Sequence, residues 1–119
     1  MRRDLYGLVA CAVAVAFLTA GSPAGAQQGP IKIGLIVPLT GVFSPNGRDM
    51  ANGFTLALGQ VGNKTAGRDI QVITEDDQGT PTQTLTKARK LVELDKVDLL
   101  VGPLAASSGY VLRDYVDEQ

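Results

Sequence analysis

Histidine and tryptophan are absent from this chain of 119 residues, and cysteine occurs once. Without histidine there is no base for a serine hydrolase of the Ser-His type, and the commonest transition-metal ligand is missing. One cysteine excludes a disulfide within the chain. Neither sign of charge dominates: 11 Lys and Arg stand against 12 Asp and Glu. The chain therefore lacks the basic footprint of a nucleic-acid binder, and nucleic acid is not an expected partner. A run long enough to cross a bilayer is lacking too, because the longest apolar stretch, residues 5–18 (LYGLVACAVAVAFL), falls short of the roughly 20 residues a spanning helix needs.

What is present begins with that short apolar run. Arg2 and Arg3 precede it, and TAGSPAGAQQ follows with small residues at Ala24 and Ala26. Basic start, apolar middle and small-residue end form the pattern of a secretory signal peptide over residues 1–26, cleaved to leave Gln27 first. LVAC at residues 8–11 has the form of a lipoprotein box, but the apolar residues after Cys11 stand where a lipoprotein already turns polar. Residues 27–119 are the expected domain. Loss of Arg2, Arg3 and Asp4 moves the net charge from −1 to −2 and removes the cysteine, so the exported part relies on its core alone.

Residues 31–37 (IKIGLIV) are apolar almost throughout and bounded by Pro30 and Pro38, the signature of a strand buried on both faces. A loop, PLTGVFSPNG, leads to a helix over 48–61 whose Met50, Phe54, Ala57, Leu58 and Val61 recur at helical spacing. NKTAGRD makes a turn, IQVIT (70–74) a second strand and EDDQGTP a solvated loop in which Asp76 or Asp77 ties the backbone. Thr80, Pro81 and Gln83 then give a hydroxyl cap, a proline at the first helical position and the partner of a capping box. Leu85, Ala88, Leu91 and Val92 continue that helix to Asp95 and Lys96. Residues 97–101 (VDLLV) are a third strand, and Ser107 or Ser108 is the expected cap of a third helix carrying Val111, Leu112, Tyr115 and Val116.

Strand and helix alternate, so the expected fold is α/β: a three-layer arrangement around a parallel sheet with right-handed crossovers and strand order 2-1-3. In such a sheet the site falls at the carboxyl ends of the strands, where the chain reverses direction beside the first one. The loops meeting there are residues 38–47 and 102–107. Ala105, Ala106 and Ser107 suit close approach of a ligand to backbone amides at a helix start, which favour an anion. The same small residues equally suit tight packing of helix on strand, with Ser107 only a cap. Reactive chemistry is missing at both loops. AASSGY fails the G-x-S-x-G elbow, PLTGVFSPNG fits neither a dinucleotide fingerprint nor a phosphate loop, and Glu75, Asp76 and Asp77 lack soft partners for a transition metal. No catalytic residue, metal ligand or cofactor is assigned, and the chain is not read as an enzyme.

IKIGLIVPLTGVFSPNGRDMANGFTLAL, followed by DIQVITEDDQGTPTQTLTKARKLVELDKVDLLVGPLAASSG, resembles the start of the periplasmic substrate-binding proteins of ABC transporters, in particular the leucine/isoleucine/valine-binding type. The resemblance implies the type I periplasmic binding fold, of which this chain is an N-terminal fragment, the first part of lobe 1. It implies a monomeric periplasmic protein that closes two lobes over a small ligand and presents it to a membrane permease. Site residues carried over by resemblance are Asn46 from the first loop, with Leu104, Ala105, Ala106 and Ser107 around a ligand carboxylate. This sequence departs from the amino-acid binders at two positions: they often carry a hydroxyl residue where Ala106 stands and an aromatic one where Asn46 stands. The ligand class therefore widens from a branched-chain amino acid to related small carboxylates such as aromatic acids. The length is a further departure, since residues for the second lobe and hinge are expected beyond Gln119 and a truncated chain is expected to lack full binding activity. Two alternatives remain beside the transport reading: a sensory ligand-binding domain of a membrane receptor, and an exported α/β enzyme with its reactive groups elsewhere.

Overall fold

The computed structural model describes residues 29–118, so the expected signal segment, residues 1–26, and its cleavage point lie outside them. Among the described residues are four strands and three helices. They are β1 (Ile31–Val37), α1 (Ser44–Gln60), β2 (Lys64–Thr65), β3 (Arg68–Asp76), α2 (Pro81–Arg89), β4 (Leu99–Val101) and α3 (Ala106–Asp117). The sheet order is β2-β3-β1-β4. β1 lies between β3 and β4 and runs parallel to both, with Val37 opposite Asp76 and Leu35 opposite Val101. The expected order 2-1-3 holds for the three parallel strands. To it the structure adds β2, a two-residue strand antiparallel to β3 that pairs Lys64 with Asp69 and Thr65 with Arg68. The NKTAGRD turn is thus a hairpin.

The connections step one way from β1 to β3 and back the other way from β3 to β4. Right-handed crossovers then put α1 on one face of the sheet and α2 with α3 on the other. The α2/α3 side holds the core: Ile36, Ala88, Leu91, Leu112 and Tyr115 are buried together, with Ile73, Leu85 and Leu100 packed against them. Ile36 and Leu91 are fully buried, each worth about 1.5–3 kcal/mol relative to exposure. Gly34 is required beneath them, because a Cβ there would stand 2.9 Å from Leu91 Cδ1 and 3.0 Å from Leu100 Cδ2. On the other face Ile33, Leu35 and Val37 are buried, but α1 covers them loosely. Of its expected stripe Met50, Phe54 and Leu58 are half-buried, while Ala57 and Val61 are exposed. Three parallel strands, one of them only three residues long, make a sheet too narrow to cover a helix of this length.

Several boundaries differ from the sequence reading. α1 starts at Ser44, not Arg48, because Pro45 supplies the preset φ of a first turn. β4 shortens to Leu99–Val101, yet Asp98 keeps contact with β1: its amide donates to Lys32 O at 2.8 Å and its carboxylate accepts from Lys32 N at 2.8 Å. α2 is capped by Thr80 as expected, with Gln83 N donating to its hydroxyl oxygen at 3.4 Å. The reciprocal half of the box is not made, since Thr80 N donates to Asp77 O instead. Past Arg89 the helix widens into a π-helical turn over Lys90–Leu94, closed by Asp95 N donating to Lys90 O at 3.0 Å.

Candidate functional site

β1, β3 and β4 are parallel, so the chain leaves all three at the same rim and each of the long helices begins there. Three positive helix ends consequently face one side of the molecule. The loops after β1 and β4 lie side by side at it. A Cβ on Gly102 would stand 2.0 Å from Ile36 O, so the second loop presses against the end of β1, and Gly102 has φ +109, open to glycine alone. Gly47 is pressed similarly onto Pro38, where a Cβ would meet the carbonyl oxygen at 1.9 Å.

The loop after β1 is held by Asp76 at the end of β3. Its Oδ1 accepts from the amides of Leu39 (2.8 Å) and Gln78 (2.9 Å), and its Oδ2 accepts from the Thr40 hydroxyl at 2.6 Å. Desolvation pushes the Asp76 pKa upward, but the Thr40 hydroxyl and the Gln78, Leu39 and Thr40 amides outweigh it and hold the carboxyl below its ordinary range. The acidic cluster is therefore no solvated loop. Glu75 lies within β3 and pairs with Lys87 at 2.8 Å and Lys90 at 2.7 Å. Hydrogen bonds from Lys87 and then Lys90 lower its pKa. Asp77 is fully buried, and its Oδ1 accepts from Gly79 N at 3.0 Å. The expectation that Asp76 or Asp77 ties the turn holds for both.

Of the residues singled out from sequence, Asn46 is exposed and stands on the first turn of α1, not in the preceding loop. Leu104 and Ala105 are half-buried, and Ala106 and Ser107 are exposed at the start of α3. The cap of α3 is Ala105, in extended conformation and with no side-chain hydrogen bond, so neither serine caps it. Ser107 faces solvent, and the Ser108 hydroxyl turns inward to lie 2.8 Å from Thr84 Oγ1. The first backbone bond of the helix runs from Gly109 N to Ala105 O at 3.0 Å. Among the described residues the amides of Ala106, Ser107 and Ser108 meet no acceptor. Nothing in the sequence marked Thr84 as a neighbour of this helix; it reads as one more hydroxyl on the polar side of α2. Arg48 was also missed: its guanidinium reaches back toward Leu39 O at 3.5 Å, bringing a cation to the rim.

The sequence profile described as "Periplasmic binding protein" matches residues 30–119. The chain belongs to the periplasmic binding protein family. Within it the chain is 33% identical over 90 residues to the Leu/Ile/Val-binding protein BraC3 of Rhizobium johnstonii, covering 74% of this chain and 24% of that one. Among solved structures it resembles an ABC transporter substrate-binding protein from Sphaerobacter thermophilus, with 38% identity and a TM-score of 0.72 over 75% of this chain and 24% of that one. It also resembles a solute-binding protein of an ABC transporter from Rhodopseudomonas palustris BisB5, in complex with 3,4-dihydroxybenzoic acid. There the identity is 30% and the TM-score 0.73, over 76% of this chain and 25% of that one. The family member described here thus spans about a quarter of the length of these relatives, and its single open sheet is part of the type I periplasmic binding fold. The relatives named are transport binding proteins, not enzymes. No described helix is long and apolar enough to cross a membrane.

Proposed function

We propose that this chain supplies one wall of the ligand cleft of an extracytoplasmic solute-binding protein that serves an ABC importer. Residues 1–26 would direct export to the periplasm, residues 27–119 form the first part of lobe 1, and a membrane permease would receive the ligand. The ligand is a small carboxylate. The observation that carries this reading is the uncapped start of α3, where the exposed Ala106 and Ser107 have amides that meet no acceptor among the described residues. A carboxylate is the group such an end attracts, through its free N–H donors and the helix dipole. Leu104 and Ala105 would line the approach, and Asn46 would face the ligand from α1.

Two carboxylate classes fit the names of the relatives: branched-chain amino acids, as for BraC3, and benzoates, as for the R. palustris protein. Ala106 offers an amide and no hydroxyl, which weighs toward an acid that asks nothing more of this wall. One wall by itself binds weakly, in the millimolar range expected when few contacts are made. Amide NMR spectra of the 119-residue chain, titrated with sodium benzoate and separately with L-leucine at millimolar concentration, test the reading. Shifts at Ala106, Ser107 and Asn46 are expected, and the acid that half-saturates them at the lower concentration identifies the class. Spectra unchanged by both acids, or shifts confined to other surfaces, would defeat it.

A further inference from the structure

Three polar side chains from three separate parts of the chain meet in the interior: Asp77 after β3, Thr84 on α2 and Ser108 on α3. All three are completely buried. Thr84 Oγ1 lies 2.7 Å from Asp77 Oδ2, 2.8 Å from Ser108 Oγ and 2.9 Å from Thr80 O. A hydroxyl has one proton to give. The carboxylate oxygen is the nearest and strongest acceptor, so it takes the Thr84 proton, and Thr84 then accepts from Ser108. Asp77 is anchored in turn by Gly79 N, at the start of α2. The chain of bonds runs from Asp77 after β3, through α2, to the first turn of α3. The Thr84–Asp77 and Thr84–Ser108 bonds are both buried, where water is excluded and breaking them costs more.

We infer that Thr84 is a positioning residue for the α3 start: through Ser108 it locks the first turn of α3 to α2 and keeps the Ser108 hydroxyl from folding back onto its own helix end. Ser108 would otherwise compete for the groups at that end, as serine side chains in a first turn commonly do. Held inward, it leaves the exposed Ala106 and Ser107 amides uncapped and fixed in direction. The functional consequence rests on the carboxylate reading above, whereas the mechanical one does not.

Amide hydrogen exchange of the 119-residue chain separates the two. In Thr84→Val, which keeps the shape and removes the hydroxyl, exchange at Gly109, Tyr110 and Val111 should quicken at least tenfold while the β1 amides of Leu35 and Ile36 change less than twofold. Thr84→Ser should restore slow exchange. Ser108→Ala, which keeps Thr84 and its bond to Asp77, should reproduce the local effect even if Thr84→Val fails to fold. Equal quickening at β1 and α3 would mean a loss of global stability only, and unchanged exchange in Ser108→Ala would mean no lock; either result overturns the inference. A wild-type chain that shows the lock but no amide shifts with benzoate or leucine would defeat the carboxylate reading alone.

Discussion

Asp76 ties down the start of the loop after β1. Its two oxygens gather the Leu39, Thr40 and Gln78 amides and the Thr40 hydroxyl, which fastens the residues after β1 to the end of β3. Because these groups are partly exposed, their joint contribution belongs near the lower end for charged hydrogen bonds, about 1–2 kcal/mol. Asp76→Ala should lower unfolding stability by that amount at neutral pH. The carboxyl pKa in the folded state lies below its ordinary value of 3.8. Such a group stabilises fully above the unfolded value and loses its contribution as pH falls through the folded one. The gap between wild type and Asp76→Ala should therefore stay constant above pH 3.8 and close in stronger acid. Urea denaturation of both proteins across that range measures it, and a gap that widens in acid would contradict the assignment.

Among the elements, the β2–β3 hairpin shows where local sequence and structure disagree. Lys64 pairs with Asp69 and Thr65 with Arg68, leaving a two-residue loop of Ala66 and Gly67 with φ of +48 and +76. Both signs are those of a type I′ turn, which favours Asn-Gly, and alanine at the first position is strained there. Ala66→Asn should raise stability by about 0.5–1 kcal/mol, read as a higher thermal midpoint, with the hairpin otherwise unchanged. The same strain explains why the hairpin was not legible: NKTAGRD has the composition of a turn, but Ala-Gly does not announce two positive φ values. Elements with strong local signals were legible in full, as the buried run of β1 and the Thr80-Pro81 start of α2 demonstrate. The start of α1 was hidden because Pro45 sits inside a glycine- and serine-rich stretch that also reads as loop. At α3 the serines promised a cap. The competing partner, Thr84, lies 24 residues away in sequence and only the tertiary fold brings it near. That the loops after β1 and β4 lie together could be read from sequence, since parallel topology fixes which strand ends share a rim. Which donors remain available there could not, because that depends on the bonds Asp76, Asp77 and Thr84 make first.

At the scale of the whole molecule the sheet is unevenly covered. β1 is enclosed on both faces and by a strand on each side, whereas β4 is three residues long and forms an edge of the sheet among the described residues. Beside it opens a groove of about 360 Å³ lined by Val92, Val97, Leu99, Leu112, Tyr115 and Val116. Leu99 is 53% exposed and Val116 49%. An edge strand next to an apolar groove offers backbone groups and apolar surface together, the combination that promotes association between copies. The 119-residue chain should accordingly scatter light increasingly with concentration and bind a hydrophobic dye. Leu99→Lys places a charge on the edge without touching the buried cluster of Ile36, Ala88 and Leu91, so it should lower scattering and dye binding together while the thermal midpoint moves little. If the midpoint falls sharply and scattering rises, Leu99 belongs to the core of the fold and the exposed edge is not the source of association.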